Sequence, residues 1–196
     1  MEEPKETLKR YLQVQRDALV WKLEGLGERQ IRWPMTPTGT NLLGLVKHVA
    51  SMELEYFGGV FDRPSGESLP WLEEDAEDNA DMWATADQSR EWVVDLYQRA
   101  WKHADTTIDG LDLDARGHVW WWRAGKQDVT LHQMLVHVIA ETARHAGHAD
   151  VVRELTDGGA GLRADNDNLP GQDARWWSDY VGRLRRTAEQ AAADRS

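Results

Sequence analysis

The stretch LHQMLVHVIAETARHAGHAD, residues 131–150, decides how this chain is read. Its apolar residues recur at helical spacing, and it holds four of the seven histidines. On a helix turning about 100° per residue, with His137 at 0°, Glu141 falls near ~40°, His145 near ~80° and His148 near ~20°. The apolar arc of Leu131, Met134, Val138, Ala149 and Val152 centres near ~100°, so the stripe borders the buried face and His145 points furthest inward. Glu141 and His145, four residues apart, stand one above the other about 6 Å apart at Cβ, a workable bite for one metal ion.

Outward from this segment, Thr130 is a natural N-cap and Asp157-Gly158-Gly159 a natural stop, which gives a helix over about 130–155. The run DVTLHQ also reads as a short strand, and the capping role of Thr130 explains it equally well. Three further segments carry helical periodicity. The first covers about 4–26, with Leu8, Tyr11, Leu12, Leu19, Leu23 and Leu26 on one stripe and Pro4 suited to a first turn. The second covers about 41–57, through Leu42, Leu45, Val49, Met52 and Tyr56, capped by Thr40 or Asn41. The third covers about 86–111, through Trp92, Leu96, Tyr97, Ala100 and Trp101. A long acidic connection, residues 58–84, separates the second from the third; connections of that length tend to be functional or mobile. After a loop-like run, a shorter helix is expected over about 175–193. The fold expected is all-α: a four-helix bundle over residues 1–158, with a C-terminal loop and extra helix, 159–196, packed on the same domain.

Composition narrows the chemistry. The 196 residues hold no cysteine, so disulfides, thiolate ligands and a thiol nucleophile of the protein's own are excluded. The formal net charge of −11 argues against a nucleic-acid partner, which calls for a basic surface. The start, MEEPKETLKR, is charged where a signal peptide is apolar, and no apolar run approaches ~18–20 residues, so a cytoplasmic protein without a membrane partner is expected. Motifs for nucleotide binding and for serine hydrolases are missing from the sequence.

A third ligand to join Glu141 and His145 must come from another helix, and His48 sits at the edge of the second segment's apolar face, beside Leu45 and Met52. Two imidazoles and one carboxylate with an open position suit Zn2+ first, with Ni2+ and Fe2+ also fitting. By spacing alone, the stripe fits equally well the polar flank of a buried helix whose histidines are satisfied by backbone or water.

The segments LLGLVKHVASMELEYFG and HVIAETARHAGHADVVREL resemble the DinB-like superfamily of metal-binding four-helix bundles. The likeness is closest to its actinobacterial branch, which is similar to the metal domain of mycothiol-dependent maleylpyruvate isomerase. It spans roughly residues 5–158. The resemblance implies a DinB-like bundle whose ligands are His48, Glu141 and His145, with Glu141 replacing the first histidine of the pair found in many members. It further implies a metal-dependent enzyme of the thiol-dependent S-transferase type, with a low-molecular-weight thiol such as mycothiol and an electrophile as substrates. Pairing into a homodimer is expected, since relatives of this kind commonly associate through helix faces. A non-catalytic small-ligand-binding or stress-response protein that keeps the metal site is the alternative.

His137 and His148 match no ligand position and are candidates for contact with the ligands, as is Glu53. If Glu53 is buried it needs a partner, which Arg144 or Arg153 offers; Arg144 itself lies towards solvent. Trp120, Trp121 and Trp122 cannot all point into one core. They form either a substrate-binding lip over the metal or a plug at the bundle's end or in an interface. Trp21, Trp92 and Trp101 are expected in the core or an interface.

Overall fold

The structure is a computed structural model and describes residues 3–193. α1 (Pro4–Trp21) begins with proline in its first turn, where the missing N–H costs nothing. It ends earlier than its periodicity suggests. Turns at 22–25, with Gly25 at φ 74°, break the helix. A short α2 (Glu28–Arg32) follows, too brief for periodicity to reveal. Leu23 and Leu26 are buried all the same, as are Leu12 and Leu19, whereas Tyr11, about 100° round the helix from Leu12, is exposed.

α3 (Leu42–Phe57) is capped by Asn41, whose side-chain oxygen accepts from the Gly44 N–H at 2.8 Å. Thirteen of its sixteen residues are buried, which makes it the central element. α4 (Arg90–Gly110) starts at Ser89, whose hydroxyl accepts from the Trp92 N–H at 3.1 Å. Its buried face runs through Val93, Leu96, Tyr97, Ala100, Ala104 and Ile108. Trp92 is at the surface, its ring edge-on to Trp71 at 5.8 Å, so the expectation of a core position there is corrected.

Before the last bundle helix the chain forms a two-stranded antiparallel ribbon, β1 (Arg116–His118) with β2 (Asp128–Thr130). α5 (Leu131–Asp157) follows at once. Thr130 ends the strand and its hydroxyl accepts from the Gln133 N–H at 3.2 Å, so strand and cap hold together in the segment DVTLHQ. Gly158 at φ 81° closes the helix, a conformation that glycine adopts freely.

The fold is therefore an all-α four-helix bundle with an extra C-terminal helix. α3 packs against α4 and α5, and α1 against α5. One cluster of the core, with Leu19, Leu45, Val49, Leu96 and Ala149, fills one end. A second, with Leu12, Phe57, Ala104, Ile108, Leu131 and Leu135, fills the other.

The chain divides into two compact units after Asn166. The second contains α6 (Ala174–Ala193), an amphipathic helix with no buried residue. Its Trp176 ring stacks on Tyr180 at 5.1 Å, and Trp177 meets both edge-on. No helix among the described residues is long and apolar enough to cross a membrane.

Candidate metal centre

α3 and α5 present His48, Glu141 and His145 to one another. One donor atom from each lies within 4.8 Å of the other two. His145 Nε2 is 3.1 Å from Glu141 Oε1, and His48 Nε2 is 3.9 Å from the same oxygen. The two imidazole rings meet edge to face at 4.7 Å. Donors about 2.0–2.2 Å from one tetrahedral ion stand about 3.3–3.6 Å apart, so the spacings of 3.1 and 3.9 Å bracket what an ion needs. On α5, His145 is buried and Glu141 half-buried, the order in which the helical stripe ranked the two, and His48 on α3 is half-buried.

The donor chemistry fits as well. Burial lowers the His145 pKa, reinforced by the neighbouring His48 and only partly offset by Glu141. The ring is therefore neutral at neutral pH, the form that binds metals. Its Nδ1 is buried with no hydrogen-bond partner among the described residues, so the ring retains unused bonding capacity.

A residue that sequence reasoning missed completes the arrangement. Asp81 Oδ2 lies 2.6 Å from His48 Nδ1. The bond leaves Nε2 for the triad and fixes the orientation of the ring, as a carboxylate does for a metal-bound histidine. Burial alone would raise the Asp81 pKa, but the hydrogen bond and charge of His48, with Lys47, hold it below the ordinary carboxylate value. Asp81 arrives on a 3-10 turn (Ala80–Met82) in the long acidic connection. That turn is clamped onto α3. Lys47 Nζ donates to Ala80 O and to Trp83 O, both at 2.9 Å, and Asn41 Nδ2 donates to Met82 O at 3.2 Å. A Cβ on Gly44 would stand 1.8 Å from Met82 O, so only glycine allows the turn so close. Burial drives the Lys47 pKa down to about 8, partly countered by Asp81, and its ammonium sits 4.2 Å from the centre of the Trp71 ring.

The neighbouring histidines flank the triad. His148, exposed on the next turn of α5, contacts the His145 ring at 5.5 Å. His137, one turn before Glu141, packs edge-on against Tyr56 and Trp122, both at 4.9 Å, and burial lowers its pKa. Of the tryptophan triplet, Trp122 is half-buried and its Nε1 donates to the Tyr56 hydroxyl at 3.3 Å. Trp120 and Trp121 are 53% and 41% exposed and line a cleft of about 310 Å3 with Met52, Glu55 and Leu72. The triplet thus splits between packing and cleft.

Glu53 is fully buried, and its partner is Arg16 on α1 rather than Arg144 or Arg153. Arg144 is exposed. Arg153 is engaged with the carbonyls of Lys22 and Glu24 and with Asp157. Arg16 also reaches Asp105 at 2.9 Å. The pairing instead runs across the bundle from α1 to α3, with Asp105 on α4 as the second partner of Arg16.

The sequence model of the mycothiol-S-transferase family matches residues 7–158. The chain belongs to the mycothiol-S-transferase family. The match covers all four bundle helices, the triad, Asp81 and the cleft. No curated protein matches the chain closely enough to be paired with it.

Proposed function

We propose that this member of the mycothiol-S-transferase family is a mononuclear divalent-metal enzyme that joins mycothiol, through its sulfur, to a small electrophile. The observation that carries the reading is the convergence of His48, Glu141 and His145 from two helices, inside a chain of this family. Zn2+ is the ion we assign, and Ni2+ or Fe2+ suits the same two nitrogens and one oxygen. When bound, a divalent ion lowers the pKa of a thiol or water beside it and so supplies a nucleophile at neutral pH.

The chain's own residues hold and orient. Asp81 keeps His48 turned so that Nε2 faces Glu141. His145 offers a neutral ring at the inner end of the triad. The half-buried Glu141 is the most exposed of the three side chains. Trp120 and Trp121 form a lip over the cleft beside His137 and Tyr56, suited to an apolar electrophile. In the transfer, sulfur forms a bond to the electrophilic carbon, the displaced group leaves with its electron pair, and the thiol proton passes to solvent. The carboxylate at the first position of the α5 pair is also the feature that likens the chain to the isomerase's metal domain.

The test is mycothiol-dependent consumption of 1-chloro-2,4-dinitrobenzene by metal-loaded protein. Turnover that disappears in His48→Ala and His145→Ala is expected. Stoichiometric bound metal without turnover of several electrophiles would instead make the protein a non-catalytic binder.

A further inference from the structure

The aromatic cleft lies on the His137 side of the triad, and a second cleft lies on the opposite side. It measures about 390 Å3. One wall is the segment before α3, carrying Thr36, Thr38 and Thr40; the other is α5, carrying His148, Val151 and Leu155. His148 belongs to both places, since its ring also touches that of His145. α3 and α5 explain the layout. Going from His48 towards the C-terminus of α3 leads through Met52 to the tryptophan cleft, and going towards its N-terminus leads to the threonines. On α5 the same two directions lead from the triad to His137 and to His148. The triad therefore stands between two clefts of different character.

The difference is chemical. The first cleft offers two indole faces, Met52 and Leu72, with Glu55 as its one charged group, whose pKa burial raises. Such a lining suits a flat apolar ring. The second sets three threonines against Met35, Val151, Val152 and Leu155, with no carboxylate, lysine or arginine. Two of the threonine hydroxyls are held in place: Thr36 Oγ1 accepts from the Thr40 N–H at 3.0 Å and lies 3.1 Å from Thr38 Oγ1, while Met35 N–H donates to Thr40 O at 2.9 Å and fixes the backbone of the segment. Opposite the hydroxyls stand the exposed side chains of Val151 and Leu155, 58% and 66% accessible. Hydroxyls facing an apolar wall complement a sugar, which has hydroxyls on its rim and C–H groups on its faces.

We infer that the threonine cleft is the subsite for the neutral, polyhydroxylated carrier of the thiol, and that the tryptophan cleft holds the electrophile, so that sulfur and carbon meet at the triad. This rests on the reading that mycothiol, a thiol carried on a sugar, is the cosubstrate.

Val151→Trp, which fills the threonine cleft from an exposed position, and Trp121→Ala, which opens the other, test it. Val151→Trp should raise the KM for mycothiol at least tenfold, and its loss in kcat/KM should be at least ten times greater with mycothiol than with 2-mercaptoethanol, which has no sugar. Trp121→Ala should raise the KM for 1-chloro-2,4-dinitrobenzene instead. Binding of S-methyl mycothiol, followed calorimetrically, reads the subsite without any turnover: Val151→Trp should weaken it at least tenfold and Trp121→Ala less than twofold. Equal binding of S-methyl mycothiol by Val151→Trp and the unmodified protein overturns the inference, whether or not the protein is an enzyme. Loss of that binding in Val151→Trp, in a protein that turns over no electrophile, upholds the cleft and overturns the proposed activity.

Discussion

At the scale of single residues, His48 and Asp81 behave as a unit. A histidine whose second nitrogen is held by a carboxylate binds metal more tightly than one left free to turn, and losing such a partner costs about 10–100-fold in affinity. Asp81→Asn should therefore weaken Co2+ binding by that factor and alter the visible spectrum of the bound ion, while the helical circular dichroism stays the same. Glu53 gives a prediction about pH. Burial pushes its carboxyl up to about 7 against the pull of Arg16, and Oε2 has no partner among the described residues. For Arg16, burial works downward, but Glu53 and Asp105 more than offset it and hold the guanidinium proton firmly. A carboxyl whose pKa is higher folded than unfolded binds more protons in the folded state between the two values. Its contribution to stability is thus fullest below about 4.5 and is lost as pH rises to about 7. Urea midpoints of Glu53→Gln, compared with the unmodified protein from pH 5 to 8, should shift in favour of the variant as pH rises. A constant difference across that range would contradict the assignment.

At the scale of elements, the α5 stripe was legible because four chemical side chains, His137, Glu141, His145 and His148, fell on one helical face at i, i+4, i+8 and i+11. His48 was legible from its place at the edge of the apolar face of α3, beside Leu45 and Met52, and the resemblance to DinB-like bundles joined it to Glu141 and His145. Asp81 was not, because no periodicity places a 3-10 turn. Its position depends on tertiary contacts made by Lys47, Asn41 and Gly44, 34 to 40 residues away along the chain. The charge and length of the connection were visible in sequence; what it delivers was not. The partner of Glu53 escaped for a related reason, since one helix's wheel says nothing about which helix will pack on it. The clamp itself is testable. Gly44→Ala puts a methyl group into Met82 O, so the turn must move and take Asp81 from His48. It should reproduce the weakened Co2+ affinity of Asp81→Asn, and Asp81→Asn added to it should cost little more. Additive losses would show that the turn and Asp81 act separately.

At the scale of the whole molecule, the bundle is held by the packing of α3 against α4 and α5 and of α1 against α5, and the site lies on the seam between α3 and α5. Leu43, fully buried and not part of the triad, should cost about 2–5 kcal/mol on substitution by alanine, with metal stoichiometry kept in the folded fraction. The segment from 159 to 173 is accessible throughout, and Arg163 is 63% exposed at its side chain. Brief trypsin treatment should cut there first and leave a fragment carrying all three candidate ligands. The absence of cysteine, plain from the sequence, has its consequence at this scale: the protein has no thiolate to offer a metal, and any thiol must enter with a substrate.

The most direct measurement is the metal content of the purified chain beside that of His48→Ala and His145→Ala, with folding checked by circular dichroism. The account predicts about one divalent ion per chain in the unmodified protein and less than a tenth of that in each folded variant. One full equivalent retained by either variant would contradict it.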